Sequence, residues 1–115
     1  MFDTAMFLAK APEDLREAQI LLEKAAKAFA MASDQEAELT REYREKKAQC
    51  TRENMKSGTP ATVTAEIVRG DTASEKAALM KVQGQKKKAL LMYDAMKERI
   101  YNIRHLSKGI DLGNS

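Results

Sequence analysis

Apolar and small residues recur every seven positions along the first half of the chain. One row comprises Leu15, Leu22, Phe29, Tyr43 and Cys50, with the polar Glu36 in the position between Phe29 and Tyr43, and a second row three residues further on comprises Ala18, Ala25, Ala32 and Leu39. Two rows at this spacing are typical of a helix that packs against another helix along a narrow seam. Pro12 suits a first helical turn, and no Gly or Pro follows until Gly58. We therefore predict an N-terminal segment over residues 1–11 and helix one over residues 12–57.

The second half begins with a stretch that interrupts this pattern. Gly58, Pro60 and Gly70 indicate a connector over residues 58–71, with one short helical turn near residues 65–69. Thr72 and Glu75 have the spacing of a capping box, which would begin helix two. We expect that helix to span residues 72–108, to stop at a glycine at position 109, and to leave residues 109–115 as a tail.

Helix two carries an apolar stripe that we expect to face helix one. A rotation of about 100° per residue aligns a set of side chains on one face, namely Ala78, Val82, Ala89, Met92, Tyr93, Met96, Ile100 and Ile103. The predicted fold is therefore all-α, a long antiparallel helical hairpin that resembles a coiled coil and forms a single domain.

Other apolar residues of helix two fall outside this stripe. They are Met80, Leu90, Leu91, Tyr101 and Leu106. A pair of helices buries little apolar surface by itself, so these residues predict a homo-oligomeric helical bundle. The alternative is that they are single exposed hydrophobic residues of the kind that every protein surface carries.

Composition favours a reducing environment and offers little for catalysis. The chain has one Cys, seven Met and one His, which suits a cytoplasmic protein, and no apolar run approaches the roughly 20 residues that span a membrane. Cys50 and His105 are expected to lie far apart along the hairpin, and the sequence has no zinc-ligand spacing and no phosphate-binding loop. We predict a protein that is not an enzyme, has no cofactor and no metal site, and does not bind a membrane.

Positive charge is concentrated on helix two. Residues 75–108 hold nine Lys and Arg residues against three acidic residues, a net charge of +6 in a chain whose total is +3. Asp14 and Glu36 of helix one are well placed to pair with these cations. The remaining cations would attract single- or double-stranded DNA without reading its sequence. The candidate nucleic-acid-binding residues are Lys81, Lys86, Lys87, Lys88, Lys97, Arg99 and Arg104. The alternative is a solvated face, or one that pairs with the acids of a second subunit.

The C-terminal half has a recognisable arrangement. A Thr-rich connector, "TPATVTAEIVRGD", leads into a Lys/Arg-rich helix that ends in "KERIYNIRHLS". This arrangement resembles small helical-hairpin proteins encoded by bacteriophages and prophages. The resemblance implies an accessory of phage DNA replication or recombination in the cytoplasm of a bacterial host. Two other functions stay open: a module that docks on a host or phage protein, for example to inhibit a defence enzyme, and a purely structural bundle subunit.

Overall fold

The protein is all-α. A computed structural model describes residues 2–113, with side chains to residue 110, and contains helix α1 over Thr4–Lys56, helix α2 over Ala61–Asp71 and helix α3 over Ala73–Gly113. No strand occurs among these residues. Within the same range, no helix combines the length and the apolar content needed to cross a membrane.

The chain divides into two compact units. The first unit comprises the chain up to Phe29 together with the chain from Lys87 onward. The second unit comprises Ala30–Lys86. In the second unit Glu36 contacts Lys86 and Lys46 contacts Glu75, so α1 and α3 run antiparallel there. The predicted antiparallel pairing of the two long helices is therefore present.

Helix α1 begins earlier than predicted. The Asp3 carboxylate accepts a hydrogen bond from the backbone N–H of Met6 at 3.1 Å, which is the pattern of an N-terminal cap. Pro12 therefore lies inside the helix rather than at its start. Proline offers no N–H to the carbonyl of Leu8, but the buried Ala11 extends the seam through this turn, and that packing favours a continuous helix.

The end of α1 is fixed by Gly58. Its φ of +76° is the conformation that glycine adopts most easily. The N–H of Thr59 donates to the carbonyl of Asn54, and the N–H of Gly58 donates to that of Met55, both at 3.1 Å. These two bonds form a Schellman motif. The connector that follows is more regular than predicted, because residues 61–71 form helix α2.

Thr72 joins α2 to α3, but it does not form the predicted capping box. Its hydroxyl donates back to the carbonyl of Val68 at 2.6 Å, and its backbone N–H also bonds to that carbonyl. The Glu75 carboxylate instead binds Lys46 of α1. The capping-box prediction was wrong because Lys46, on α1, binds the Glu75 carboxylate, which was expected to bind the start of its own helix.

Helix α3 passes through Gly109, where a stop was predicted. The only positive φ among the described residues is that of Gly58, so Gly109 does not form a left-handed cap. Ile110 is half-buried and continues the seven-residue spacing of Val82, Ala89 and Ile103. The predicted tail thus begins as helix, and residues 114–115 of that tail lie outside the described residues.

The core is narrow and consists mainly of small residues. Ala18, Ala25 and Ala32 are at most 5% exposed, which confirms the predicted alanine row of α1. Small residues let helix axes approach closely, although each buries little apolar area. On α3 the buried hydrophobic residues are Val82, Ala89 and Ile100. Met92 of the predicted stripe is instead exposed, and Leu79 is half-buried along the seam.

Two ion pairs occupy seam positions in the second unit. Lys86 Nζ lies 3.3 Å from Glu36 Oε1, and the position of Glu36 had predicted such a pairing. Lys46 Nζ lies 2.5 Å from Glu75 Oε1. Asp14, the other acid expected to pair, is half-buried and forms no ion pair with the described residues. The hydrogen bond from Lys46 lowers the pKa of Glu75, and the same bond raises the pKa of Lys46.

This pair predicts a specific dependence of stability on pH. The contribution of Glu75 to the free energy of unfolding is complete above its unfolded-state pKa, about 4.3. That contribution is lost as the pH falls through the folded-state pKa of Glu75, which is lower. The contribution of Lys46 is present at neutral pH and is lost only in strong alkali. Glu75→Gln should therefore lower the urea midpoint at neutral pH, and this deficit should shrink in acid. Both side chains are partly exposed, so the effect is modest.

Glu66→Gln is the matched control, because Glu66 is exposed on α2 and forms no ion pair with the described residues. Its midpoint should follow that of the native protein at every pH. A Glu75→Gln deficit of equal size in acid and at neutral pH would contradict the electrostatic origin of the effect.

Candidate nucleic-acid interface

The seven candidate basic residues of α3 do not share one environment. Lys86 lies in the seam against Glu36, and Arg99 is half-buried. The others are exposed, namely Lys81, Lys87, Lys88, Lys97 and Arg104. Lys81 belongs to the second compact unit, and the cations from Lys87 onward belong to the first.

In the first unit, cations of α3 line a surface groove of about 660 Å³. Lys97, Tyr101, Arg104 and Lys108 lie at steps of four, three and four residues, which places them on one face of α3. His105 adjoins them, while Leu22 of α1 and Ile100 of α3 provide apolar lining. We call this feature the basic groove.

An aromatic pair forms part of its lining. The rings of Tyr101 and His105 are stacked, with centroids 5.7 Å apart and planes inclined by 9°. Tyr101 is 65% exposed, so a face of the pair is open to an additional ring. Tyr93 also lines the groove but is half-buried, in agreement with its predicted seam position.

The basic groove keeps its positive charge after folding. None of its lining residues is acidic. No carboxylate of the described residues lies within 4.0 Å of Lys97, Arg104 or Lys108. The ion pairs among the described residues involve other cations. Within the described part of the chain, the result is a set of cations without an acidic partner beside an exposed aromatic pair, which suits a ligand that carries both anionic groups and flat rings.

Sequence reasoning identified part of this arrangement. Lys97 and Arg104 were candidates for nucleic-acid binding, and Tyr101 was assigned to an oligomer interface. Lys108 and His105 were not assigned to the site. The repeated spacing from residue 97 to residue 108 was a signal that could have found Lys108, because it continues one helix face.

The residues predicted to form an oligomer interface are all exposed. Their exposed fractions are 61% for Met80, 44% for Leu90, 62% for Leu91, 65% for Tyr101 and 46% for Leu106. Tyr101 is therefore available to both proposed surfaces. This exposure leaves apolar area uncovered on the single chain.

Cys50 occupies the half-buried seam position that its spacing predicted, with Sγ 4.0 Å from Asp71 Oδ2. Among the described residues, no group of three or more His, Cys, Asp or Glu side chains is arranged to hold a metal ion. No protein-family model matches the chain, and no curated protein and no solved structure shows significant similarity to it.

Proposed function

We propose that this protein binds single-stranded nucleic acid through the basic groove. The observation that carries the proposal is the combination of the exposed Tyr101–His105 stack with three cations that form no ion pair with the described residues, Lys97, Arg104 and Lys108. At roughly 1.5 Å per residue, these cations extend over about 16 Å of α3. That length corresponds to several phosphates of one strand, which are about 3.4 Å apart along the axis of a duplex.

The two parts of the groove have separate roles in this proposal. The cations bind phosphates and release the counterions condensed on them, which provides affinity without sequence preference. The aromatic pair offers a ring face on which an unpaired base stacks, and this favours single strands over duplexes, whose bases are already stacked. A protein of this kind suits an accessory of phage DNA replication or recombination, the role that the resemblance of the C-terminal half implies.

A labelled oligothymidylate at low salt tests this function. Fluorescence anisotropy should show saturable binding to the native protein. Tyr101→Ala should weaken that binding by about tenfold, because loss of one base–aromatic stack costs about 1–3 kcal/mol. Tyr101→Phe should keep most of the affinity, since the ring remains. Tyr101 is largely exposed, so neither change should alter the fold.

Leu106→Ala is the matched control for Tyr101→Ala. Leu106 is also exposed on α3 but has no ring and does not line the basic groove. It should bind the oligonucleotide as the native protein does. Equal losses in the Leu106 and Tyr101 variants would show that stacking is not involved, and no binding by the native protein would refute the function.

We also propose that the exposed apolar residues of α3 associate with a second copy of the chain. The supporting observation is their exposure, above all that of Met80 and Leu91, which are more than 60% exposed. A host or phage protein docking on these residues is the rival arrangement, and it would make the protein an interaction module.

Self-association predicts a change in molar mass. Light scattering at micromolar concentration should report an oligomer, and a double variant, Met80→Glu with Leu91→Glu, should be monomeric, because charges disfavour burial in an apolar interface. Ala95→Glu, an exposed position on the same helix, should leave the mass unchanged. A monomeric native protein would contradict self-association and favour a partner of another kind.

A further inference from the structure

A second groove, of about 630 Å³, lies in the other compact unit and is separate from the basic groove. Its α1 side presents Tyr43, Lys47, Thr51 and Met55, which recur at steps of four residues. Residues of α2, of the turn at Gly58 and of the first turns of α3 complete its lining. Its volume is within the roughly 300–1,000 Å³ typical of small-molecule sites. We call it the amphiphilic groove.

Its cations are unevenly distributed along its length. The contacts between Lys46 and Glu75 and between Cys50 and Asp71 fix the register of the helices. In that register Lys76 lies within one helical turn of the level of Lys47, at the end of the groove marked by Tyr43. Arg69 lies two helical turns before Lys76.

None of these cations is neutralised by a carboxylate of the described residues. No acidic residue lines the amphiphilic groove. Lys47, Arg69 and Lys76 form no ion pair with the described residues. Lys47 Nζ lies 5.9 Å from the centroid of the Tyr43 ring, a contact that leaves its charge available to an anion.

The other end of the groove is apolar. Met55, Ala61 and Ala65 line it, and Val68 continues this surface toward the cations. Three of the four threonine hydroxyls that line the groove donate to backbone carbonyls: Thr51 to Lys47, Thr64 to Thr59 and Thr72 to Val68. Few hydrogen-bond donors are therefore left for a polar ligand at this end.

We propose that the amphiphilic groove binds a single-chain anionic amphiphile of the medium-chain carboxylate class. The carboxylate would lie beside Lys47 and Lys76, and the alkyl chain would extend past Arg69 toward Met55 and Ala65. The assignment rests on the distribution of charge along the groove. Positive charge is concentrated toward one end, and apolar surface is concentrated toward the other. A polyanion or an acidic helix would need cations along the whole length.

Decanoate is the probe, with decylammonium as a ligand of equal chain length and opposite charge. Titration calorimetry with native protein, below the concentration at which decanoate forms micelles, should show saturable binding of one decanoate per chain. Decylammonium should not bind measurably. The double variant Lys47→Gln with Lys76→Gln should bind decanoate at least tenfold more weakly, because the carboxylate loses charge-assisted partners.

Ala65→Trp should abolish decanoate binding by filling the apolar end of the groove. Ala65 is exposed, so this change should leave the helical circular dichroism and the unfolding transition near those of the native protein. Thr62→Trp adds the same ring to an exposed position of α2 that does not line the groove, and it should bind decanoate normally. Binding that survives Ala65→Trp would overturn the assignment.

Other results would overturn the proposal in favour of a different occupant. Absence of decanoate binding together with binding to phosphatidylglycerol vesicles would assign the groove to a membrane surface. Absence of decanoate binding together with an oligomer that Ala65→Trp dissociates would assign it to a second copy of this chain. Equal affinity for decanoate and decylammonium would show that the cations have no role in binding.

Discussion

Replacing Lys97, Arg104 and Lys108 together with Gln should weaken binding of a single-stranded oligonucleotide by roughly a hundredfold at about 0.1 M salt. The estimate follows from counterion release, because each phosphate neutralised on a single strand contributes about 0.7 to the slope of log K against log salt. The three side chains are exposed or on the groove rim and have no carboxylate within 4.0 Å among the described residues. Their removal should therefore lower affinity without disturbing the helix packing. Fluorescence anisotropy with labelled oligothymidylate measures the change.

The matched control removes the same charge from the other long helix. Arg16, Lys24 and Lys27 are exposed on α1 in the same compact unit and do not line the basic groove. Their triple Gln variant has the same net charge as the groove variant. The α1 variant should bind the oligonucleotide only a few-fold more weakly than the native protein, because its lower net charge weakens the overall electrostatic attraction. If both triple variants lose affinity equally, the protein attracts nucleic acid by net charge alone and the basic groove has no special role.

Ile100→Ala should reduce the free energy of unfolding by about 2–4 kcal/mol, the range for a large-to-small change in a core. Ile100 is 7% exposed and is one of the few large side chains in a core composed mainly of alanines. Urea unfolding followed by circular dichroism measures the loss.

Leu91→Ala removes an apolar side chain of similar size from an exposed position of the same helix. In monomeric protein it should change the free energy of unfolding by less than about 0.5 kcal/mol. If the two variants were equally stable, Ile100 would not be part of a packed seam, and the assignment of the inner and outer faces of α3 would be wrong.

The seven-residue pattern was a reliable guide to the fold, whereas local start and stop signals were not. Ala18, Ala25 and Ala32 are buried as the pattern requires. Pro12 and Gly109, interpreted as helix boundaries, lie within helices instead. Inside a helix, Pro costs about 3 kcal/mol and Gly about 1 kcal/mol relative to Ala. Seam residues on either side, such as Ala11 and Ile110, favour continuation of the helix.

The distribution of unpaired charge could be predicted only in part. A helical wheel shows which residues flank an apolar stripe. Whether a cation there is neutralised depends on whether its side chain reaches a carboxylate on the partner helix. Lys86 is paired with Glu36, whose position had indicated this. The pairing of Lys46 with Glu75 was missed, because Glu75 had been assigned to the capping box. Lys97 and Arg104 keep their charge because no carboxylate of the described residues reaches them.

Tyr101 belongs to both proposed surfaces, and this allows the two proposals to be separated. If oligomerisation covers Tyr101, the Met80→Glu and Leu91→Glu double variant should bind oligonucleotide at least as well as the native protein. If nucleic-acid binding depends on the assembled oligomer, the same variant should bind more weakly. Either result leaves the Tyr101→Ala test of stacking intact when it is repeated in the monomeric background.

The salt dependence of oligonucleotide affinity tests the central claim most directly. If three groove cations neutralise phosphates, log K for oligothymidylate should fall linearly with log salt with a slope of about −2, since each contact on a single strand contributes about −0.7. The Lys97, Arg104 and Lys108 triple variant should show a slope near zero. Affinity that does not change with salt, or a triple variant with the native slope, would contradict binding through the basic groove.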